Sequence, residues 1–390
     1  MTASRTRGGL ALVLTLSVAA CQGSGVAQLP PSPSAITSSA PTASSKPTAT
    51  PEITTDPADI PAGLILFGRC GSDGDERSFT INTDGTGERA LCEREGCGGA
   101  HWSTDWSQIL SVGATGRGTW SLLTVNPDGS DHVVIDPPIE TLNLFVGASR
   151  PDGLIVFNGV DDADPSNSGL YVASADLSDL RRVTPLAEGW LEVDPDGVTA
   201  DPSRIVFFVD TGPEGGLTHT GDLYVIDANG SGLRQLNPQG MKAGYRDAPV
   251  ISLAPDGRQA AFAVSDDAVF VVDLDGGEAR PITPRVPFAW AVSWSPDGEW
   301  IVYTQQYGYT SVTSLVRADG TDQHEISAND ESDDQKTPAW SPSGDYLLVA
   351  RGKADQRDLW ITDLEGRYLS QVTHEPSTYT NFSWAPAPGT

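Results

Sequence analysis

Long apolar runs are missing from this chain: the one extended stretch, Leu10 to Val18, spans nine residues, too few to cross a bilayer as a stable helix. Positive charge is scarce as well. Against 52 Asp and Glu there are 24 Lys and Arg, a formal net charge of −28, and a surface that negative repels phosphate backbones and anionic head groups. Nucleic acid is thereby excluded as the expected partner. The signatures of common catalytic machinery are absent too: no G-x-S-x-G elbow, no H-E-x-x-H helix, no Walker loop and no C-x-x-C pair. The five histidines, His101, His132, His219, His324 and His374, have no paired spacing, and no amphipathic helical pattern stands out.

What the chain has in quantity is Gly (41) and Pro (29), punctuating short runs of β-branched and aromatic residues, the pattern of many short strands. The clearest unit is Ser293 to Thr304, SWSPDGEWIVYT. A strand ends at Trp294, the chain reverses through Ser295-Pro296-Asp297-Gly298, and a second strand leaves through Trp300 to Tyr303. Pro296 presets φ, Asp297 bonds its own backbone, and Gly298 takes the positive φ that a Cβ resists. Further copies stand at Ser341-Pro342-Ser343-Gly344, Ala254-Pro255-Asp256-Gly257 and Arg150-Pro151-Asp152-Gly153, with a degenerate one at Asp201-Pro202-Ser203.

A second marker, a strand running into Asp-Gly or a variant of it, falls at 84, 128, 176, 229, 275, 319 and 365, in steps of 44, 48, 53, 46, 44 and 46. Seven copies of a four-strand unit are expected, an all-β, seven-bladed β-propeller over residues 62–386. The first repeat offers only three strands, whereas the chain ends on one orphan, Thr380 to Pro386. The C-terminal strand is therefore expected to complete the first blade and close the ring, which leaves no sheet edge at the join.

Residues 1–20 read as an export signal, with Arg5 and Arg7 ahead of the apolar core and Ala19-Ala20 behind it. Val18-Ala19-Ala20-Cys21 resembles the bacterial lipobox, which implies cleavage before Cys21 and a diacylglyceryl group on its thiol. Residues 21–61 carry that cysteine and a Pro, Ser, Thr and Ala tether with no aromatic residue, too poor in apolar surface to fold. A flexible tether of that length averages about 35 Å end to end. The expected location is outside the cytoplasm, on a lipid anchor.

The turn at Trp294 to Gly298, the strands Leu223-Tyr224-Val225 and Leu359-Trp360-Ile361, and the pairs Ile282-Thr283 and Val372-Thr373 resemble the WD40-like propeller repeats of the TolB type. The resemblance implies the fold, because the shared residues are structural, and implies no activity. Seven repeats without a helical domain depart from TolB itself, so its envelope partner is not carried over. Some seven-bladed relatives are metal-dependent lyases on acidic sugars, which makes a metal-assisted polysaccharide lyase or hydrolase the alternative to a non-catalytic module binding a protein or cell-envelope glycan. No cofactor, metal or catalytic residue is assigned. Ligand-binding candidates are loop residues near the channel mouth: Tyr245, Arg246, Asp247, Asp333, Asp334, Gln335, Tyr379 and Asn381. Asp161, Asp162 and Asp164 are expected to be solvated loop charge. Cys70, Cys92 and Cys97 all fall in the first repeat and are the disulfide candidates, with the pairing open.

Overall fold

In the computed structural model the described residues are 60–387 without 72–75, 92–98, 115–119, 151, 186, 188–191, 200–202, 212–218, 246–250, 265–266, 287–288, 308–309, 329–337 and 354–355. Seven antiparallel sheets follow one another around a ring. Blade 1 is made of Tyr379–Pro386, Gly63–Cys70, Glu76–Asn82 and Arg89–Ala90, in that spatial order. First and fourth strands of the others are His101–Trp102 and Val133–Ile135 in blade 2, Leu142–Ser149 and Arg181–Pro185 in blade 3, and Glu192–Val198 and Arg234–Gln235 in blade 4. Blade 5 runs from Ile251–Leu253 to Arg280–Pro281, blade 6 from Ala289–Trp294 to His324–Ala328, and blade 7 from Ala339–Trp340 to Tyr368–Gln371. First strands of successive blades neighbour one another, which makes them the inner ring.

The ring closes as the sequence implies. Gly63 pairs with Pro386, Ile65 with Trp384 and Arg69 with Tyr379, so the last strand supplies the innermost strand of the first blade. Each seam between blades holds its own apolar cluster, seven in all. Strand alternation explains how one sheet serves two seams: Ala260 and Phe262 face blade 4, and their neighbours Ala261 and Ala263 face blade 6. Middle strands are therefore apolar on both faces and read as near-continuous hydrophobic runs.

Antiparallel order puts the turns after the first and third strands on one face of the ring. The first kind is stereotyped, with a backbone bond of the same span in Ser103 to Gln108, Thr199 to Arg204, Ala254 to Gln259, Ser295 to Trp300 and Ser341 to Tyr346. In four of these five the first residue bears a hydroxyl that accepts the N–H of the last, at 2.9 Å from Gln108, 3.0 Å from Arg204, 2.9 Å from Trp300 and 3.1 Å from Tyr346. The second kind repeats a carboxylate or amide at the turn that accepts the N–H, and often the hydroxyl, two residues on, as Asp84 does from Thr86 and Asp319 from Thr321. Blade 3 departs from the pattern: its first turn is one residue shorter, Arg150 N–H bonding Leu154 O, and in its second Asp179 accepts the Ser174 N–H. Pro195-Asp196-Gly197, which has the composition of such a turn, lies instead inside the first strand of blade 4, where the register shifts.

A latch joins blades across this face. A basic residue near the start of the fourth strand donates to a carbonyl in the turn of the following blade: Arg181 to Ala228 O (2.7 Å), Arg234 to Leu274 O (2.8 Å) and Arg280 to Ala318 O (2.7 Å), with Arg89 to Asp128 O alike. His324 takes the same place, 3.1 Å from Leu364 O. In blade 2 the position holds Val133, which is 48% exposed.

Candidate functional site

The longest insertions among the described residues fall on the opposite face, where the second strand turns into the third and the fourth leads to the next blade. Blade 3 inserts a 3-10 turn, Pro165–Asn167, between its middle strands. Blade 4 prolongs its third strand to His219–Asp227, and Ala243–Tyr245 pairs along the extension, Tyr245 opposite His219 and Ala243 opposite Gly221. The backbone of Tyr245 thus lies along the fourth-strand side of blade 4. Arg246, Asp247, Asp333, Asp334 and Gln335 lie outside the described residues.

The best-defined part of this loop face is the seam where blade 7 meets the closing strand. Tyr379 is fully buried, its ring edge-on to Phe67 at 5.4 Å and its hydroxyl donating to Glu375 O at 2.7 Å. Burial pushes that phenol above its usual range. Phe67 stacks on Phe79, and the Arg69 guanidinium sits 4.1 Å above the Phe79 ring while pairing with Glu88 (2.8 Å) and Glu375 (3.2 Å). Ser377 and Arg357 exchange backbone bonds of 2.9 and 3.0 Å, which ties the approach to the closing strand to blade 7.

Two residues further on the closing strand bulges opposite Leu66 and Gly68, and Asn381 takes φ +48°. Such a bulge re-aims a side chain at the rim of a closed sheet. Asn381 Nδ2 reaches Glu76 Oε1 at 3.3 Å, the Thr380 hydroxyl donates to the same oxygen at 2.7 Å, and Gly99 N–H adds a third bond at 3.2 Å. Gly68 is required at this point, since a Cβ there would lie 2.1 Å from the Thr380 hydroxyl oxygen. Glu76 is 8% exposed, and its Oε2 has no hydrogen-bond partner among the described residues. Sequence reasoning singled out Tyr379 and Asn381 but missed Glu76. The signal was available in Glu76-Arg77-Ser78-Phe79-Thr80, where an acid shares the face of Ser78 and Thr80.

Nearby, burial raises the Asp358 carboxyl above its ordinary range, although the Thr373 hydroxyl donates to it at 3.1 Å and His374 partly offsets the shift. Asp161, expected in solvent, is 1% exposed. Both of its oxygens are consumed in shaping the blade 3 insertion: Ala163 and Asp164 N–H bond Oδ1 at 3.0 and 2.9 Å, and Thr141 and Asn167 bond Oδ2 at 2.8 Å each. Burial opposes its ionisation, but these four donors outweigh that and hold it below the usual carboxylate range. Asp162 and Asp164 are exposed.

The four histidines whose side chains are described do not converge. His101 is exposed at the start of blade 2, His132 lies on the turn face, His324 spends both ring nitrogens on backbone carbonyls at the outer wall, and His374 is exposed beside blade 7. Among the described residues no group of three or more His, Cys, Asp and Glu is placed to hold a metal ion. Cys70 is disulfide-bonded, and Cys92 and Cys97 lie outside the described residues.

Seven four-stranded blades closed by the C-terminal strand define a β-propeller. Its fold is TolB-like: the chain is similar to TolB from Acinetobacter baumannii, with a TM-score of 0.52, 16% identity and coverage of 83% of this chain and 67% of that one. It is also similar to an oligogalacturonate lyase in complex with manganese (TM-score 0.58, 15% identity, 77% of this chain and 86% of that one). A putative 6-phosphogluconolactonase from Bacteroides uniformis gives 0.53 at 12% identity, over 84% and 100%. Identities this low speak to fold and not to activity. No protein-family model matches the sequence, and no curated protein matches it.

Proposed function

We propose that this chain is an exported, lipid-anchored binding protein whose propeller recognises a protein or a cell-envelope glycan on its loop face without turning it over. The observation that carries this reading is the contrast between the two faces. First turns on one face share one geometry in five blades, blade 3 alone departing from it among the described turns, while the long insertions, the prolonged strand of blade 4 and the Glu76–Asn381 and Arg69–Tyr379 contacts gather on the other. Binding residues concentrate on variable loops held by a rigid scaffold.

The path of the chain supports the same orientation. Residue Gly63 and Pro386 pair where blade 1 would have its first turn, so residues preceding the domain join it on the turn face. A lipid at Cys21 would then leave the loop face pointing away from the membrane. The test is a pull-down from envelope extract with residues 62–390, run beside a variant with the blade 3 insertion (162–168) replaced by a short turn and one altered only in a turn-face loop. One envelope component retained by the wild type and the turn-face variant, and lost by the insertion variant, is expected. Equal loss in both variants refutes the assignment of the face.

A metal-assisted lyase or hydrolase is the second reading, favoured by the likeness to the manganese-bound oligogalacturonate lyase. The scattered described histidines do not supply its site. A stoichiometric transition metal in the purified protein, lost on replacing two or more histidines, would establish it over the first.

A further inference from the structure

Two Asn-Gly dipeptides occur in the chain, Asn158-Gly159 and Asn229-Gly230, and the fold treats them differently. Asn158 is 4% exposed in the second strand of blade 3, opposite Phe145 on one side and Leu170 on the other, and Gly159 lies likewise between Leu144 and Gly169. A Cβ on Gly159 would lie 2.5 Å from the Tyr171 ring. Asn229 and Gly230 are both exposed, in the turn between the third and fourth strands of blade 4.

An asparagine followed by glycine is the pair in which the side-chain amide is most open to attack by the next backbone nitrogen, because glycine sets no side chain beside that nitrogen. At Asn229 the geometry adds to this. Its Oδ1 accepts the Ser231 N–H at 2.8 Å, which draws electron density from Cγ, and its NH₂ has no hydrogen-bond partner among the described residues. The Gly230 N–H donates to Asp227 O at 2.8 Å, a bond that an exposed turn gives up by local opening at far smaller cost than a buried ladder.

We infer that Asn229 is a site of spontaneous deamidation and that native Asn158 is protected from it. Gly230 N gives up its proton and bonds to Asn229 Cγ, the Cγ–Nδ2 bond breaks, and the amide leaves as ammonia with that proton. Water then opens the cyclic imide at either carbonyl, to aspartate or to isoaspartate. Asparagine and water thus become the acid and ammonia, with nothing oxidised or reduced. Aspartate is what this position holds in blades 1, 2 and 6, where Asp84, Asp128 and Asp319 accept the N–H two residues on as Asn229 does. Isoaspartate instead adds a carbon to the main chain beside Ala228 O, which Arg181 latches at 2.7 Å, and beside Gly230, which is pressed against Val183 O.

The site is on the turn face and is independent of the proposed recognition surface. The test is incubation of the full chain at mildly alkaline pH, native and unfolded in urea, with peptide mass spectrometry following both asparagines. In urea the two are expected to convert at similar rates. In the native protein Asn229 is expected to convert about tenfold or more faster than Asn158, which must wait for its sheet to open. Asn229→Gln, which would need a larger ring, is expected to remain an amide, and Asn229→Asp to keep the wild-type urea midpoint. Equal native rates at the two asparagines, faster conversion of Asn158, or an unchanged Asn229 over a time in which the urea-unfolded chain converts overturns the inference. So does conversion of Asn229→Gln at the rate of the wild type, or a lowered midpoint in Asn229→Asp.

Discussion

Removing residues 381–390 tests the closure of the ring most directly. The cut takes away Phe382 (7% exposed), Trp384 (2%) and Ala385 (1%), together with the Asn381 bond to Glu76. Truncating a buried Phe or Trp costs about 3–5 kcal/mol, so the two alone remove about 6–10 kcal/mol. Ladder bonds to Gly63–Leu66 go as well, leaving blade 1 with a bare inner edge. Together these losses take most or all of the about 5–15 kcal/mol by which a domain is stable. The shortened chain is expected to show no cooperative native transition by calorimetry and to lose its near-ultraviolet dichroism. Trp384→Ala is the graded version: about 3–5 kcal/mol, at roughly 2 °C per kcal/mol, lowers Tm by about 6–10 °C. Coincident melting of the truncated and intact chains would refute the role given to the closing strand.

Acid should expose the turn-face carboxylates. The hydroxyls and N–H groups of Thr86, Ser130 and Thr321 hold Asp84, Asp128 and Asp319 below their ordinary range, so their contribution is complete above the unfolded value of 3.8 and lost as pH falls through the lower folded values. Urea midpoints are expected to hold above about pH 5 and fall below about pH 4, less steeply in Asp84→Asn with Asp319→Asn. Asp358 has the opposite sign: burial raises its folded value, so the ionised form weighs against the fold, and Asp358→Asn is expected to raise Tm at pH 7 and not at pH 3. Arg234→Gln and Arg280→Gln should each cost about 0.5–1.5 kcal/mol in chemical denaturation and add in the double variant, because they act at different seams. Conversely, Val133→Arg supplies the missing latch and removes an exposed apolar side chain, and its Tm should rise.

The parts of the fold legible in the sequence are those whose work is local. Ser295, Asp297 and Gly298 bond and bend within their own turn, so their spacing announces it, and the two orphan ends announce the closure. Latches were not legible, because Arg181, Arg234 and Arg280 meet backbone carbonyls of the next blade and a carbonyl leaves no trace in residue type. Asp161 was misjudged for a related reason: an acidic loop looks solvated until its donors, two of them backbone N–H groups, fold around it. Tyr379 and Asn381 were named as loop residues at the channel mouth, but both lie within the closing strand and Tyr379 is fully buried, whereas Glu76, which meets Asn381 across the seam, sits in a stretch that matches no marker.

The meeting of Gly63 and Pro386 also makes the domain indifferent to where its chain is broken. Joined there by a short linker and reopened at any other turn on the same face, it should fold as a circular permutant. Left as it is, it can be spliced into a surface loop of another protein as a cassette, its two ends fitting a gap no wider than two neighbouring strands.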